Sequence, residues 1–175
     1  MKPQLLADNS RLEEIYNLRV EAWENSERTN SINRNNFPNG WSDTIDPQAF
    51  HWIVTNETNQ IIASARLSLH NSLDELPYPP AFKKFNLPSE RPFAFYTRMV
   101  VAHEYRSLFL VKKLDKCRIE FIKKLQLPYT VATCTDKRIN SLVELGFEIL
   151  GNTTIEYADI VEETALILHV SNILI

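Results

Sequence analysis

The apolar positions of this 175-residue chain change their spacing abruptly near residue 102. Residues 93–101 end in the run Met99-Val100-Val101, which is short and apolar and therefore predicts a buried strand. From Leu108 to Leu125, apolar residues recur at intervals of three and four, the spacing of one face of a helix of about five turns. The residues between these segments predict a tight loop that leads from a strand directly into a helix.

The same rules divide the rest of the chain into short elements. They predict strands over residues 4–7, 50–54, 61–69, 129–134, 147–150, 155–157 and 164–170, and helices over residues 10–24 and 136–145. Residues 25–45 are rich in Asn and Ser and predict a loop, whereas residues 71–92 hold five prolines and predict a long insertion without regular structure. Strands that alternate with helices predict a single α/β domain over residues 1–175, with parallel central strands flanked by helices.

Composition narrows the class of protein. The hydrophobic share of 44% and the charged share of 23% are those of ordinary soluble globular proteins. No apolar run approaches the ~20 residues of a membrane helix, and the first residues are too polar for a secretory signal. We therefore expect a cytoplasmic protein without a membrane partner. Cys117 and Cys134 make neither a disulfide framework nor a metal site, and we expect two reduced core thiols.

The charge of the chain is unevenly distributed. A net charge of −3 argues against a nucleic-acid partner. Between Arg106 and Arg138, however, nine basic residues accompany only three acidic ones. One interpretation is that this side of the fold binds an anion, and the other is that the lysines form the solvent-exposed face of a helix.

The loop before Leu108 is a candidate anion site. A helix start that faces a strand end collects unpaired backbone N–H groups and the positive end of the helix dipole, which together suit a phosphate. Arg106 adds a guanidinium at the edge of this loop. Coenzyme A (CoA), which carries three phosphate groups, would match both the loop and the basic segment.

The residues around this loop resemble the central motif of the GCN5-related N-acyltransferases, the GNAT superfamily. That motif is a strand, then V-x-P-x-x-R/Q-x-x-G-x-G/A, then a helix. Val101 and Arg106 match it, while His103 stands where proline is usual, and Phe109 and Val111 replace both glycines. Since glycines let a phosphate approach the backbone closely, the two side chains imply a more crowded loop.

The resemblance covers nearly the whole chain and implies the GNAT fold, a mixed sheet of six to seven strands whose parallel central strands splay apart. It further implies acetyl-CoA or another acyl-CoA as co-substrate, no metal, and direct attack of an amine on the thioester. The central strand would align the pantetheine arm and the loop amides would hold the diphosphate. The implied cofactor-binding residues are Met99, Val100, Val101, Arg106, Ser107, Leu108, Phe109, Leu110 and Val111.

Two positions that carry acid–base groups in the superfamily hold other residues here. The usual Tyr, four residues before Gly146, is Leu142, and the usual carboxylate of the central strand is Thr97. Leucine cannot donate a proton, and threonine is a weak acid and a weak base. The general acid and the general base are therefore not assigned from the sequence.

Charged residues in or beside the predicted strands form a second pattern. These residues are Asp43, Asp46, His51, Arg66 and Arg98. One interpretation is a set of salt bridges, Asp46 with Arg66 or Arg98, that locks the loop to the sheet. The other is that the same groups line an acceptor cleft, where Asp43 or Asp46 recognises an amine and an arginine recognises a carboxylate.

This second pattern is similar to a GNAT branch that includes acyl-homoserine-lactone synthases and long-chain N-acyl amino acid synthases. The matching residues are Arg19, Trp41, Asp43, Asp46, Arg66 and Arg98, with Phe95 in place of the branch's Glu. The resemblance implies catalytic roles for Asp46, Arg66 and Arg98. It also implies that the acyl donor is either CoA or an acyl carrier protein, which would meet the basic segment.

The sequence thus favours an N-acyltransferase that moves an acetyl or other acyl group from CoA to the primary amine of a small molecule. Two alternatives stay open at this point. One is a longer-chain acyltransferase that uses carrier-protein thioesters, and the other is a non-catalytic module that binds an acyl ligand through a degenerate phosphate loop. Both a monomer and a homodimer are compatible with the sequence.

Overall fold

The computed structural model describes residues 1–24, 31–156 and 160–172. The strands are β1 (Gln4–Leu5), β2 (Phe50–Thr55), β3 (Ile61–His70), β4 (Phe93–Val101), β5 (Tyr129–Cys134), β6 (Glu148–Glu156) and β7 (Ile160–His169). The α-helices are α1 (Leu12–Glu24), α2 (Pro80–Lys83), α3 (Leu108–Leu125) and α4 (Asp136–Val143). Single 3-10 turns lie at Asp46–Gln48, Leu73–Glu75, His103–Tyr105 and Val170–Asn172.

The seven strands form one mixed sheet in the order β1-β2-β3-β4-β5-β7-β6. β4 and β5 are parallel neighbours, whereas the other adjacent strands pair antiparallel. The parallel pair requires a crossover, and α3 supplies it by carrying the chain from the end of β4 back to the start of β5. The predicted fold class, a mixed sheet of six to seven strands with parallel central strands and flanking helices, is confirmed.

The helices cover both faces of the sheet. On one face, α3 and α4 bury the largest core cluster through residues such as Leu114, Ile122 and Leu142. On the other face, α1 packs through Ile15 and Leu18, and residues 71–92 bury Phe82 against the sheet. This two-sided cover explains why the central strands read as nearly continuous apolar runs.

Two elements differ from the sequence prediction. The separate strands predicted over 147–150 and 155–157 are one strand, β6, because Gly151 adopts a φ of +143° at a bulge and lets the strand continue. Tyr157 lies outside the described residues. The segment 71–92, predicted to lack regular structure, contains a 3-10 turn whose start is capped by the Ser72 hydroxyl and the short helix α2, which begins at Pro80. Proline fits there because the first turn of a helix needs no N–H donor.

The other predicted strands and helices are confirmed with small shifts at their ends. β4, α3 and β5 have the predicted bounds, while α1 begins at Leu12 rather than at residue 10. Cys134 is buried and Cys117 is half-buried, and neither forms a disulfide within the described residues. Among the described residues, no helix is both long and apolar enough to cross a membrane.

We predict that Gly40→Ala destabilises the fold. Gly40 has a φ of +91°, and an added Cβ would lie 2.6 Å from the Tyr16 Cβ and 2.8 Å from the Tyr16 carbonyl carbon. Because the clash meets the backbone of α1, we expect a loss of about 2–4 kcal/mol in the free energy of unfolding, measured by urea denaturation. The control is Asn39→Ala at the exposed neighbouring residue, for which we expect a change within about 0.5 kcal/mol. Equal stability of the two variants would contradict this account.

Candidate active site

A groove opens where β4 and β5 part. The two strands pair over three residues only, ending at Tyr96 opposite Ala132, although both strands continue beyond that pair. A cavity of about 870 Å³ begins at this point and passes between the strands. From the α3 face it is lined by Val111, Arg118, Arg138 and Leu142, and from the α1 face by Trp23, Trp41, Tyr78 and Arg98. The groove therefore connects the two faces of the sheet.

A bulge in β4 shapes one wall of this groove. Ser64 of β3 lies opposite Val100, but Arg66 lies opposite Thr97, so β4 carries one extra residue between these pairs. Arg98 falls within the extra stretch and has a φ of +53°. A side chain in this left-handed region costs on the order of 1 kcal/mol, and such conformations cluster at functional sites. The bulge turns the backbone of Arg98 and Met99 out of the regular ladder and into the groove wall.

Arg98 is held at the groove by contacts on several sides. Its Nη2 donates to Asp43 Oδ2 at 2.9 Å and to the Tyr78 hydroxyl at 2.7 Å. The guanidinium carbon lies 3.8 Å from the centroid of the Trp41 ring, a cation–π contact. Trp41 and Asp43 come from the loop between α1 and β2, and Tyr78 comes from the segment 71–92. Arg98 therefore joins two loops to the central strand.

Asp46 lies deeper, between two arginines. Arg19 Nη1 and Nη2 donate to its carboxylate oxygens at 2.7 and 2.8 Å, and Arg66 Nη1 donates to Oδ1 at 2.7 Å. The same Arg66 nitrogen also donates to Asp43 Oδ1 at 2.6 Å, which connects Asp46 to the Arg98 cluster. The side chains of Arg19 and Asp46 are fully buried. The expected pairing of Asp46 with Arg66 is confirmed, while the partner of Arg98 is Asp43.

The arginines of this cluster keep its two aspartates ionised. Burial alone would raise the pKa of Asp46, but the hydrogen bonds and positive charges of Arg19 and Arg66 outweigh burial and hold that pKa far below its usual range. The pKa of Asp43 is lowered in the same way, because Arg66 and Arg98 outweigh its desolvation. Burial lowers the pKa of His51, whose Nε2 donates to the Asp46 backbone oxygen at 2.9 Å. Three arginines thus face two carboxylates and a neutral histidine, leaving a surplus of positive charge.

The predicted catalytic residues occupy different depths. Arg98 and Arg66 line the groove, whereas Asp46 is fully buried with both oxygens bonded and does not line it. Arg19, for which a place in the cleft was one interpretation, is also fully buried behind Asp46 and donates to the Trp41 carbonyl oxygen at 3.1 Å. Asp46 therefore supports Arg66, and Arg66 and Arg98 are the two predicted catalytic residues that line the groove.

A second buried charge network lies on the α3 face of the same groove, and sequence reasoning did not find it. Asp115 accepts hydrogen bonds from the Tyr96 hydroxyl at 2.5 Å, from Arg118 Nη2 at 2.8 Å and from Arg138 Nη2 at 2.9 Å. Burial is the main reason why the pKa of Tyr96 is raised well above its usual value, so its hydroxyl stays protonated. Glu163 of β7 is a further buried carboxylate in the groove wall. In the sequence, Asp115 and Arg118 look like ordinary charges of a wet helix face.

The loop that begins α3 keeps some of its amides available. The N–H groups of Tyr105 and Arg106 bond to backbone oxygens of the loop, and those of Leu110 and Val111 bond to the Ser107 hydroxyl and carbonyl oxygens. Among the described residues, the amides of Ser107, Leu108 and Phe109 have no recorded acceptor within the chain, as is usual for a first helical turn. A pocket of about 380 Å³ lies beside them, lined by Arg106, Ser107, Leu108, Val111, Lys137 and Arg138 among others.

The predicted cofactor-binding residues fall into two groups. Met99, Val100, Val101, Arg106 and Val111 line the groove, and Ser107 and Leu108 line the pocket beside it. Phe109 and Leu110 line neither cavity. Phe109 is 63% exposed and points to solvent, whereas Leu110 is in the core and its amide is already bonded to Ser107. We therefore remove Leu110 from the candidate set and retain Phe109 only for its amide.

Solved structures share this architecture. A CoA-dependent acyl-homoserine lactone synthase, BjaI, with SAM and isopentyl-CoA, superposes over 98% of this chain and 85% of its own, with a TM-score of 0.72 and 14% identity. FeeM, an N-acyl amino acid synthase from uncultured soil microbes, matches 98% of this chain and 92% of its own, with a TM-score of 0.69 and 13% identity. An N-acetyltransferase from Staphylococcus aureus Mu50 matches 98% and 100%, with a TM-score of 0.63 and 14% identity.

The chain has the GNAT fold. The resemblance to the superfamily and to its synthase branch is confirmed at the level of fold, since sequence identities of 13–14% establish no more than that. Neither a protein-family model nor a curated protein sequence matches the chain. The GNAT fold accounts for the splayed strands and for the position of the loop at the start of α3.

We predict that Asp46→Asn strongly destabilises the fold and flattens its acid dependence. Because the folded state favours ionised Asp43 and Asp46, their contribution is complete above the unfolded carboxyl pKa of about 4 and is lost as the pH falls further. Removing the charge leaves Arg19 and Arg66 without their shared partner, which costs about 3–5 kcal/mol. Urea unfolding of both proteins between pH 3 and pH 7 (roughly the titration range of carboxyls) measures both effects.

The matched control is Asp74→Asn. Asp74 also pairs with a cation, Lys83, but its side chain is 71% exposed, so we expect little change in stability. If Asp46→Asn were as mild as Asp74→Asn, the buried cluster would not hold the loop to the sheet.

Proposed function

We propose that this protein is an N-acyltransferase that moves an acyl group from an acyl-CoA to the primary amine of a small molecule. One observation carries the proposal: a single groove joins a basic pocket at the start of α3 to the Arg98 cluster on the opposite face of the sheet. A donor held on one face and an acceptor held on the other would meet between β4 and β5. The solved neighbours described as a CoA-dependent synthase and as an N-acetyltransferase support this proposal.

The donor end suits a phosphorylated thioester. The amides of Ser107, Leu108 and Phe109 begin a helix of 18 residues, whose dipole favours an anion at this end. Arg106 is exposed beside them and donates to the Ala22 carbonyl oxygen at 2.9 Å, which directs its guanidinium toward the groove mouth. Lys137 and Arg138 lie on the opposite wall. Acetyl-CoA or a longer acyl-CoA is the donor that we propose.

The chemistry needs no nucleophile from the protein. The amine attacks the thioester carbonyl carbon directly, and the backbone of Met99 to Val101, turned into the groove by the bulge, polarises that carbonyl. Fixed backbone dipoles are effective in a site from which water is largely excluded. This role does not depend on side-chain identity, which suits a strand whose acid–base positions hold Thr97 and Phe95.

The acceptor end suits an amine that also carries a carboxylate. The Arg98 cluster has more arginines than aspartates, and Arg98 lines the groove with a side chain that is 5% exposed and packs on the Trp41 ring. A guanidinium binds a carboxylate in a fixed geometry. We propose an amino acid or an amino-acid derivative as acceptor. FeeM, described as an N-acyl amino acid synthase, supports this choice.

An acyl carrier protein is the second candidate donor, and a specific surface feature favours it. Leu108 and Phe109 are 62% and 63% exposed beside the donor pocket, and the Lys113 ammonium lies 4.0 Å from the centroid of the Phe109 ring. An exposed apolar pair next to basic side chains matches an acidic protein surface better than it matches a free nucleotide. Parallel assays with acyl-CoA and acyl carrier protein thioesters of one chain length distinguish the two donors.

We predict that Arg106→Ala weakens donor binding more than folding. Loss of the guanidinium removes a phosphate contact and should raise the Kd for acetyl-CoA about tenfold, because hydrogen bonds to charged groups are worth about 1.5–3 kcal/mol. Its single hydrogen bond to Ala22 limits the stability loss to about 1 kcal/mol. Calorimetric titration and thermal unfolding measure the two quantities.

The control is Lys124→Ala, which removes one exposed positive charge at the far end of α3 and should leave the Kd unchanged. A wild-type protein that acetyl-CoA neither binds nor stabilises would contradict CoA as donor. Donor binding without amide formation for any amine would favour the non-catalytic module.

We predict that Arg98→Gln separates carboxylated from uncarboxylated acceptors. For an accepted amino acid, KM should rise about tenfold or more, since a charge-assisted contact is lost, whereas KM for the corresponding amino acid amide should change little. Steady-state thiol release with each acceptor measures this. Arg11→Ala, which removes a half-buried arginine paired with Glu14, serves as the control. Equal effects of Arg98→Gln on both acceptors would contradict carboxylate recognition.

A further inference from the structure

Thioester aminolysis places negative charge on sulfur, and the groove must accommodate that charge. When the tetrahedral intermediate collapses, the C–S bond breaks and its electron pair leaves on the thiolate. A thiol loses its proton near pH 8.5 in water, so a nearby cation is sufficient to stabilise the leaving group without prior protonation. Leu142, at the position where the superfamily usually has a tyrosine acid, is 2% exposed and apolar and supplies neither a proton nor a charge.

Arg138 lies one helical turn before Leu142 on α4, and both residues line the groove. Residues four apart on a helix share a face, so the two side chains project toward the same part of the groove. Arg138 also lines the smaller pocket beside the start of α3, which is where the donor would enter. Its side chain therefore lies on the route from the phosphate end of the donor to the gap between β4 and β5.

The other cations of the groove are less suitable. The Arg98 side chain is on the α1 face with Asp43 and Tyr78, and Arg118 is fully buried beneath the Tyr96 ring. Lys137 and Arg106 are exposed at the mouth, and Arg66 is fully buried and pairs with Asp43 and Asp46. The Arg138 side chain is 22% exposed, enough to meet a ligand while remaining largely shielded from water. Shielding strengthens the interaction of its charge with a developing anion.

The buried network on the α3 face positions this guanidinium. Asp115 accepts hydrogen bonds from Arg138 Nη2 at Oδ1 (3.2 Å) and Oδ2 (2.9 Å), and within the described residues the guanidinium makes no other hydrogen bond. Nε and Nη1 are therefore available to a ligand. Asp115 is itself fixed by Tyr96 and Arg118. Two arginines accompany one aspartate in this network, and Glu163 is a further carboxylate in the groove wall.

We propose that Arg138 is a catalytic residue that stabilises the leaving thiolate, with Asp115 as its positioning residue. This inference rests on the proposed acyltransfer. As the C–S bond breaks, the sulfur gains charge beside the guanidinium, which donates hydrogen bonds but keeps its protons. The amine nitrogen loses one proton to solvent, and the thiolate then takes up one proton from solvent, so an acyl thioester and an amine become an amide and a thiol.

The test is the dependence of rate on the leaving thiol. Arg138→Met and wild type are compared with thioesters of one acyl group on N-acetylcysteamine, an alkyl thiol, and on aryl thiols of lower thiol pKa. We expect kcat/KM of the variant to fall about tenfold or more with the alkyl donor and by less than about threefold with the aryl donors. Lys137→Met removes a neighbouring charge from the same pocket and should affect all donors alike.

The outcomes distinguish failure of the role of Arg138 from failure of the proposed function. Equal losses with alkyl and aryl donors for Arg138→Met would overturn the role of Arg138 even if the wild type transfers acyl groups. No amide from the wild type with any donor would instead overturn the proposed function. Asp115 keeps Arg118 and Tyr96 as partners in the variant, so we expect it to fold. If it does not, Arg138→Gln, which preserves a donor to Asp115, is measured in the same way and must show the same selective loss with the alkyl donor.

Discussion

The early end of the pairing between β4 and β5 is the constraint on which the site depends. In a regular parallel pair, the backbone groups of Thr97 to Val101 would be satisfied by the neighbouring strand. Here the ladder stops after Tyr96, and β4 bulges against β3 one residue later. Buried backbone N–H and C=O groups need hydrogen-bond partners. The β4 wall of the groove can therefore bind a ligand that carries amide groups along its length. The fold thus creates a binding edge in the interior of the sheet.

Two buried charge networks flank this edge, one on each face of the sheet. The network around Asp46 contains three arginines and two aspartates, and the network around Asp115 contains two arginines and one aspartate. Each network therefore has one more arginine than aspartates, and Glu163 adds a carboxylate to the groove wall. Buried ion pairs contribute little net stability, because the cost of desolvating the charges offsets their attraction. A role in ligand specificity therefore explains the two networks better than a role in stability.

Sequence reasoning predicted those helices and strands that are determined by the residue pattern within the element itself. α3 was predicted with its observed bounds because 18 residues keep one helical period and a proline follows at residue 128. β6 was divided in two because Gly151 reads as an interruption, whereas only the pairing with β7 determines that a glycine at φ +143° continues the strand as a bulge. The turns within residues 71–92 were missed because five prolines obscure how well proline starts a helix.

Sequence reasoning predicted the contacts of the site only for residues that have few partners. Asp46 and Arg66 were expected to pair, because a charge in a buried strand needs a partner. Arg98 was linked to Asp46 rather than to Asp43, since proximity across 55 residues of chain depends on the bulge. The Asp115 network was not expected at all. Its residues occupy α3 and α4, where charges are normally solvated, and only the packing of both helices on one face of the sheet brings them together.

Phe109 and Val111 stand in the loop at the positions where the superfamily has glycines. Phe109 is 63% exposed and does not line the pocket beside the first helical turn, whereas Ser107 and Leu108 do. Val111 does enter the groove wall, so the passage beside α3 is narrowed by one branched side chain rather than closed. In the proposed function, a diphosphate at the amides of the first turn would place the arm that follows it in the groove, which both Val111 and Arg138 line. The side chains that replace the two glycines therefore leave the groove open.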